Sequence, residues 1–271
     1  FDEFHERRLN SDLGLALALE AQGALREDLR LLIMSATLDT AAVAGAIGAP
    51  VIESAGRQYD VETRYLGRSD DRIEDRMPKA VRQALREQEG SVLAFLPGAR
   101  EIHRTAEALT DLGPDVIVAP LFGGLSPTEQ DAAVSPPAPG KRKVVLATDL
   151  AESALTIEGV CIVIDSGLAR VAEDESGGLG TRLSTVRASR ASVDQRRGRA
   201  GRTAPGVCYR LWDEAATRGL VAAPIPEIQS SDLSGLVMSL AEWGTRDPAR
   251  LTWLDPPPPG KFRAAEAQLR A

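Results

Sequence analysis

The chain has 271 residues, 43% of them apolar, 26% charged and 4% aromatic, with a formal net charge of −7. That length allows about two domains with substantial cores, and the acidic balance argues against a protein that binds nucleic acid by net charge alone. No apolar run is long enough to span a bilayer, no signal-peptide pattern is legible, and Cys161 and Cys208 each sit in an apolar β-like run, so a cytoplasmic, reducing setting with no membrane contact is expected.

In chain order, the first feature is Phe-Asp-Glu-Phe-His-Glu-Arg, residues 1–7. Adjacent residues at a strand end face opposite ways, so Asp2 and Glu3 can serve different tasks. One carboxylate can hold Mg²⁺ through its water shell while the other polarises an attacking water; an ordinary surface pair is the alternative. His5 alone reads as a packed histidine. An amphipathic stretch follows near 9–25, and a strand over Leu31–Met34 closes on Ser35-Ala36-Thr37. Small hydroxyl residues just past a strand are where open α/β sheets meet ligands.

After a break around 49–56, helical patterns near 75–88, 98–112, 126–134 and 191–200 alternate with short β-branched runs. Those runs are Val92–Leu96, Val116–Ala119, Val144–Ala147, Val160–Ile164 and Val207–Leu211. The alternation predicts a parallel sheet covered by helices on both faces. Residues 168–187 depart from it: two alternating strands flank Ser176-Gly177-Gly178-Leu179-Gly180 and predict a β-hairpin. Near Pro224-Ile225-Pro226 the βα rhythm stops. Ser231–Trp243 and Pro248–Leu254 read as helical, with Pro256–Pro259 as a rigid extended stretch.

Charge is unevenly spread. Between Thr181 and Arg202 seven arginines stand against one acid, Asp194, and Lys141-Arg142-Lys143 forms a shorter cluster upstream. Such runs are solvated faces or sites for anions. In Gln195-Arg196-Arg197-Gly198-Arg199-Ala200-Gly201-Arg202, a continuous helix would set Gln195, Arg199 and Arg202 on one stripe and turn Arg196 and Arg197 elsewhere. Two guanidinium forks aimed at one place suit a phosphate chain. Two glycines within eight positions cost a helix about 1 kcal/mol each, which an idle surface helix has little reason to carry. In "VVLATDLAESALTIEGV", residues 144–160, hydroxyls and backbone amides just past a strand suit phosphate contacts.

The order of these pieces is more specific than any one of them. Asp-Glu-x-His, Ser-Ala-Thr, "VLAFLPGAREI", "PLFGGLS", "ATDLAESALTIEG" and "QRRGRAGR" together resemble the superfamily-2 helicases of the DEAH type. Phe4 within the first motif and "SDLSGLVMSLAEWG" at 231–244 narrow the resemblance to the bacterial HrpB-like ATP-dependent helicases. It covers essentially the whole chain.

The resemblance implies an α/β fold of RecA-like parallel sheets and a small module. Residues 1–54 would be the carboxyl-terminal part of a first RecA-like domain, 55–223 a complete second one bearing the hairpin 168–187, and 224–271 the start of a winged-helix-type helical module. It implies ATP and Mg²⁺ as cofactors, with Asp2 and Glu3 at the metal and Glu3 also on the lytic water. His5 would couple to Gln195, Arg199 and Arg202 would act as arginine fingers, and Thr156 and Glu158 would lie near the ribose. Ser35 and Thr37 would link hydrolysis to domain closure. Gly123, Gly124, Thr148 and Asp149 would touch a sugar-phosphate backbone, although relatives carry Asn where Asp149 stands and a carboxylate beside a phosphate repels it.

Neither Gly140-Lys141-Arg142 nor Gly260-Lys261-Phe262 continues to the hydroxyl of a Gly-Lys-Ser/Thr phosphate loop. The sequence is therefore expected to be a fragment lacking the first half of RecA-like domain 1, and inactive by itself. The expected partner is single-stranded nucleic acid, RNA by the resemblance, with 3′ to 5′ movement. A non-hydrolysing binding module and a DNA-directed helicase are the alternatives.

Overall fold

A computed structural model describes residues 1–36, 40–54, 56, 59–152, 157–174 and 181–270, with backbone alone at 40–42, 172–174 and 181. The strands are β1 (Val61–Tyr65), β2 (Ser91–Phe95), β3 (Val116–Leu121), β4 (Arg142–Ala147), β5 (Val160–Asp165), β6 (Leu168–Asp174), β7 (Thr181–Arg187) and β8 (Gly206–Arg210). The helices are α1 (Leu9–Ala24), α2 (Thr40–Ile47), α3 (Ile73–Glu87), α4 (Ala99–Glu107), α5 (Pro127–Val134), α6 (Arg190–Gly198), α7 (Glu214–Thr217), α8 (Glu227–Ser230), α9 (Ser234–Trp243) and α10 (Pro259–Arg270). These group into two compact units, one of residues 55–171 and 185–224, the other of residues 1–54, 172–184 and 225–271.

The first unit is built on a six-stranded sheet in the order β1-β8-β5-β2-β4-β3, parallel at every pairing. Its central strand β2 is buried at every position, as a parallel strand must be when helices cover both faces. Alternate residues sort into two cores. Val92, Ala94, Val144, Leu146, Ile162 and Ile164 pack with Met77 and Val81 of α3 and Ile102 of α4. Leu93, Phe95, Val145, Val163 and Cys208 pack on the other face with Ala133 of α5 and Ala200. This is the RecA-like α/β arrangement. Both cysteines are free, and burial pushes the Cys208 thiol up to about 12, which leaves it unreactive.

β1 was not anticipated. Its sequence, Val-Glu-Thr-Arg-Tyr, carries two charges because it is an edge strand, and Arg64 sits against Glu62 and Glu87. β6 and β7 pair as the expected two-stranded sheet, and the glycine-rich connection at 175–180 lies outside the described residues.

The second unit is helical. Leu13 and Ala16 of α1, Ile228 of α8, Leu236 and Leu240 of α9, and Phe262 and Ala265 of α10 share one core. Three expectations are corrected in this unit. Residues 31–34 form no strand: Phe4 N–H donates to Met34 O (3.0 Å) and Met34 N–H to Phe1 O (2.8 Å), but Glu3 turns left-handed between them and interrupts any ladder. Pro248–Leu254 holds only a 3-10 turn, Pro248–Arg250, capped by Asp247. Pro259 opens α10 instead of ending an extended run, since a proline suits the first helical position.

Candidate functional site

Residues 1–7 fold as a tight turn. Phe4–Glu6 is a 3-10 segment bracketed by Glu3 (φ 46°) and Arg7 (φ 49°), both non-glycine residues in the left-handed region. Each such residue costs on the order of 1 kcal/mol or more and persists only where its surroundings enforce it. Phe4, fully buried, pins the middle. Asp2 is exposed, and its Oδ1 accepts the Glu3 N–H at 2.9 Å. Glu3 Oε2 lies 3.4 Å from His5 Nδ1, which also accepts the Ala36 N–H at 3.4 Å. His5 Nε2 is buried with no hydrogen-bond partner among the described residues. The turn thus gathers Asp2, Glu3 and His5 beside the Ser-Ala-Thr segment; Ser35 is exposed, and Thr37 lies outside the described residues.

Mg²⁺ is held by one or two carboxylates and keeps several waters. An exposed Asp2 with Glu3 beside it supplies that donor set. No group of three His, Cys, Asp or Glu side chains among the described residues offers an all-protein cage. The residues present fit the ion.

The arginine segment departs from one continuous helix. α6 ends at Gly198, and Arg199–Gly201 tightens into a 3-10 turn capped by Arg202. The cause is packing. A Cβ at Gly201 would lie 2.5 Å from the Tyr59 carbonyl oxygen, and Tyr59 N–H donates to Gly201 O at 2.9 Å. The turn therefore closes against the entry to β1. Gly201→Ala is expected to lower stability at the upper end of about 1–3 kcal/mol, because backbone cannot yield as a side chain can; urea unfolding of the chain measures it.

Each arginine has its own fate. Arg196 is buried; its Nε donates to Glu152 at 2.6 Å, its Nη1 to Asp165 at 2.9 Å, and its guanidinium lies 5.1 Å from the Phe95 ring centroid. Burial disfavours its charge, but the two carboxylates more than offset that and hold it protonated. Arg197 reaches Thr63 Oγ1 and the Val61 carbonyl of β1. Arg187 stacks near Trp212, and Arg190 donates to the Thr217 and Arg218 carbonyls. Arg199 is buried and donates to the Glu152 carbonyl, Gln195 is half-buried, and Arg202 is exposed.

Within the sheet unit the remaining candidates fall at two ends. Gly123 and Gly124 follow β3, Thr148 and Asp149 follow β4, and Thr148 N–H donates to Leu121 O at 3.2 Å; this is the carboxyl end. Glu158, exposed, precedes β5, and the Arg199–Gly201 turn packs beside the starts of β5 and β8 at the amino end, where a Cβ on Gly206 would meet the Ala200 and Cys161 carbonyls. Thr156 lies outside the described residues.

The Lys141-Arg142-Lys143 cluster offers little to an anion. Arg142 donates to the Leu85, Gln88 and Gly90 carbonyls at the carboxyl-terminal end of α3, and the buried Lys143 donates to the Ala132, Ala133 and Ser135 carbonyls at the carboxyl-terminal end of α5. Both are helix caps, which cations at a carboxyl-terminal end favour. Burial lowers the pKa of each.

Sequence reasoning missed Glu152, which bonds Arg196 and Ser192 through its carboxylate and Arg199 through its carbonyl. The available signal was an arginine excess with a single local acid, Asp194, which demanded distant partners.

The helicase conserved C-terminal domain family matches residues 76–204. The ATP-dependent RNA helicase HrpB of Escherichia coli is 48% identical over 99% of this chain and 34% of its own length. The pre-mRNA-splicing factor ATP-dependent RNA helicase prp22 of Schizosaccharomyces pombe is 36% identical over all of this chain and 24% of its own. A crystal structure of the Escherichia coli DEAH/RHA helicase HrpB superposes with a TM-score of 0.92, covering 99% of this chain and 35% of that one. The chain spans about a third of the length of its first curated relative. With these matches and its own motif order, the chain belongs to the DEAH-type superfamily-2 helicases.

Proposed function

We propose that this chain is the part of an ATP-dependent RNA helicase that carries the water-activating acids and the arginine fingers, coupling ATP hydrolysis to movement along a single strand. The exposure of Arg202 at the end of the segment carries the reading, with Arg199 buried beside it and bonded to the Glu152 carbonyl. Guanidinium forks match phosphate oxygens, and developing charge on the γ-phosphate is what such groups stabilise. The relatives named as ATP-dependent RNA helicases support the substrate class.

Mg²⁺, when bound, would neutralise charge on the phosphates. Glu3 would take up the proton of the attacking water, and His5 would link that motif to Gln195. Arg199 and Arg202 would meet the γ-phosphate, with Thr156 and Glu158 toward the ribose. Gly123, Gly124 and Thr148 would follow the sugar-phosphate backbone from the carboxyl end of the sheet, where Asp149 weakens rather than adds to the grip. Ser35 and Thr37 would carry closure between domains.

The test is ATP turnover by the full natural chain with single-stranded RNA, with single-stranded DNA of the same sequence, and with neither. RNA is expected to stimulate turnover, and affinity is expected to fall with salt at about 0.7 log units per phosphate contacted per log unit of salt. Binding without turnover establishes the non-hydrolysing module instead, and stimulation by DNA alone establishes a DNA-directed motor.

A further inference from the structure

We propose that Arg7 is a positioning residue for the acidic turn, and that Asp255, distant in sequence, helps hold it in place. The inference rests on the functional reading of Asp2 and Glu3 given above. Arg7 Nε and Nη2 donate to the two oxygens of Asp12, each at 3.1 Å, and Nη2 donates again to Asp255 Oδ2 at 2.7 Å. One guanidinium thus grips the first helix and the segment just before α10. The backbone repeats the link: Arg7 O accepts the Glu227 N–H at 3.0 Å, and Leu9 N–H donates to Glu227 Oε2 at 2.8 Å.

Arg7 also closes the turn, donating its own N–H to Phe4 O at 3.1 Å from a left-handed conformation. A strained residue needs surroundings that over-determine it, and the Asp12 fork with the Asp255 and Glu227 contacts supplies them. Asp12 is 2% exposed at its side chain, and Arg7 is 12% exposed. Burial raises the Asp12 pKa against the opposing pull of Arg7. A buried pair of this kind is weak evidence for stability and better evidence for a fixed register. The turn so fixed carries Glu3 and His5 within four residues of Arg7. The irregular segment carrying Asp255, just before α10, therefore bears on where the water-activating carboxylate sits.

Asp255 is the part of the clamp that can be removed without opening a core, since its side chain is 36% exposed. In the full natural chain, Asp255→Ala is expected to lower kcat for RNA-stimulated ATP turnover by about 10-fold or more, the effect of displacing a catalytic group by a fraction of an ångström. The Mg²⁺ concentration for half-maximal turnover should rise, while KM for ATP, RNA affinity and the unfolding midpoint stay unchanged. Asp255→Asn, which keeps an acceptor for Arg7, should retain part of the lost rate. Arg202→Ala run alongside separates the two ideas. If it abolishes turnover while Asp255→Ala changes neither kcat nor Mg²⁺ dependence, the clamp is wrong and the site stands. A lower unfolding midpoint with unchanged kcat also overturns the clamp. If Arg202→Ala has no effect, the reading of the site fails and the clamp goes with it.

Discussion

Arg202→Ala in the full natural chain is expected to lower ATP turnover by about 10³-fold or more, the range that arginine fingers supply in nucleotide hydrolases. Affinity for single-stranded RNA should hold. Arg202 is exposed and caps a 3-10 turn at the amino end of the sheet, whereas Gly123, Gly124, Thr148 and Asp149 follow strands at the carboxyl end. The proposed finger and the proposed strand contacts would therefore draw on different ends of one sheet, and a substitution at one need not touch the other. Turnover that survives with RNA binding lost would falsify the finger assignment.

Arg196→Leu, three residues before Arg199, is expected to behave in the opposite way. The loss here is stability, about 3–5 kcal/mol, because one partner of a buried ionic cluster is deleted and the other charges remain. Asp165 is fully buried and Glu152 partly buried, and both pair with Arg196. Leucine restores neither the ion pairs nor the contact with Phe95. The unfolding midpoint in urea, with the slope unchanged, measures the loss. Folded domains have only about 5–15 kcal/mol in hand, so partial unfolding at 37 °C is the visible consequence. A shift below about 1 kcal/mol would show that Asp165 and Glu152 find other partners.

The contrast between Arg196 and Arg202 marks where local reading stops. As a pattern, 195–202 placed Arg196 off the Arg199–Arg202 stripe, yet Arg196 and Arg199 both bond Glu152, one through its carboxylate and the other through its carbonyl. Nothing local says that Arg196 is buried. Its partners lie 44 and 31 residues away, at Glu152 and Asp165. Lys143 shows the same limit in reverse: three adjacent cations suggested an anion, and packing turned two of them into caps for helices already complete upstream. β1 escaped notice because an edge strand carries charges that dilute the apolar alternation, and Leu31–Met34 was overread because apolar residues alone do not make a ladder.

By itself, the sequence determined the parallel α/β layout, five of the six strands of the sheet and their covering helices, and the motif order that places the chain among DEAH-type helicases. Those features rest on local periodicity and on short spacings, which survive without knowledge of distant neighbours. The tertiary structure alone decided which arginines are spent on the fold, why Gly201 must lack a side chain, and that Arg7 is clamped by Asp12 and Asp255. Those facts depend on which distant carboxylates and carbonyls are brought within hydrogen-bond reach, and burial then makes each such pairing obligatory.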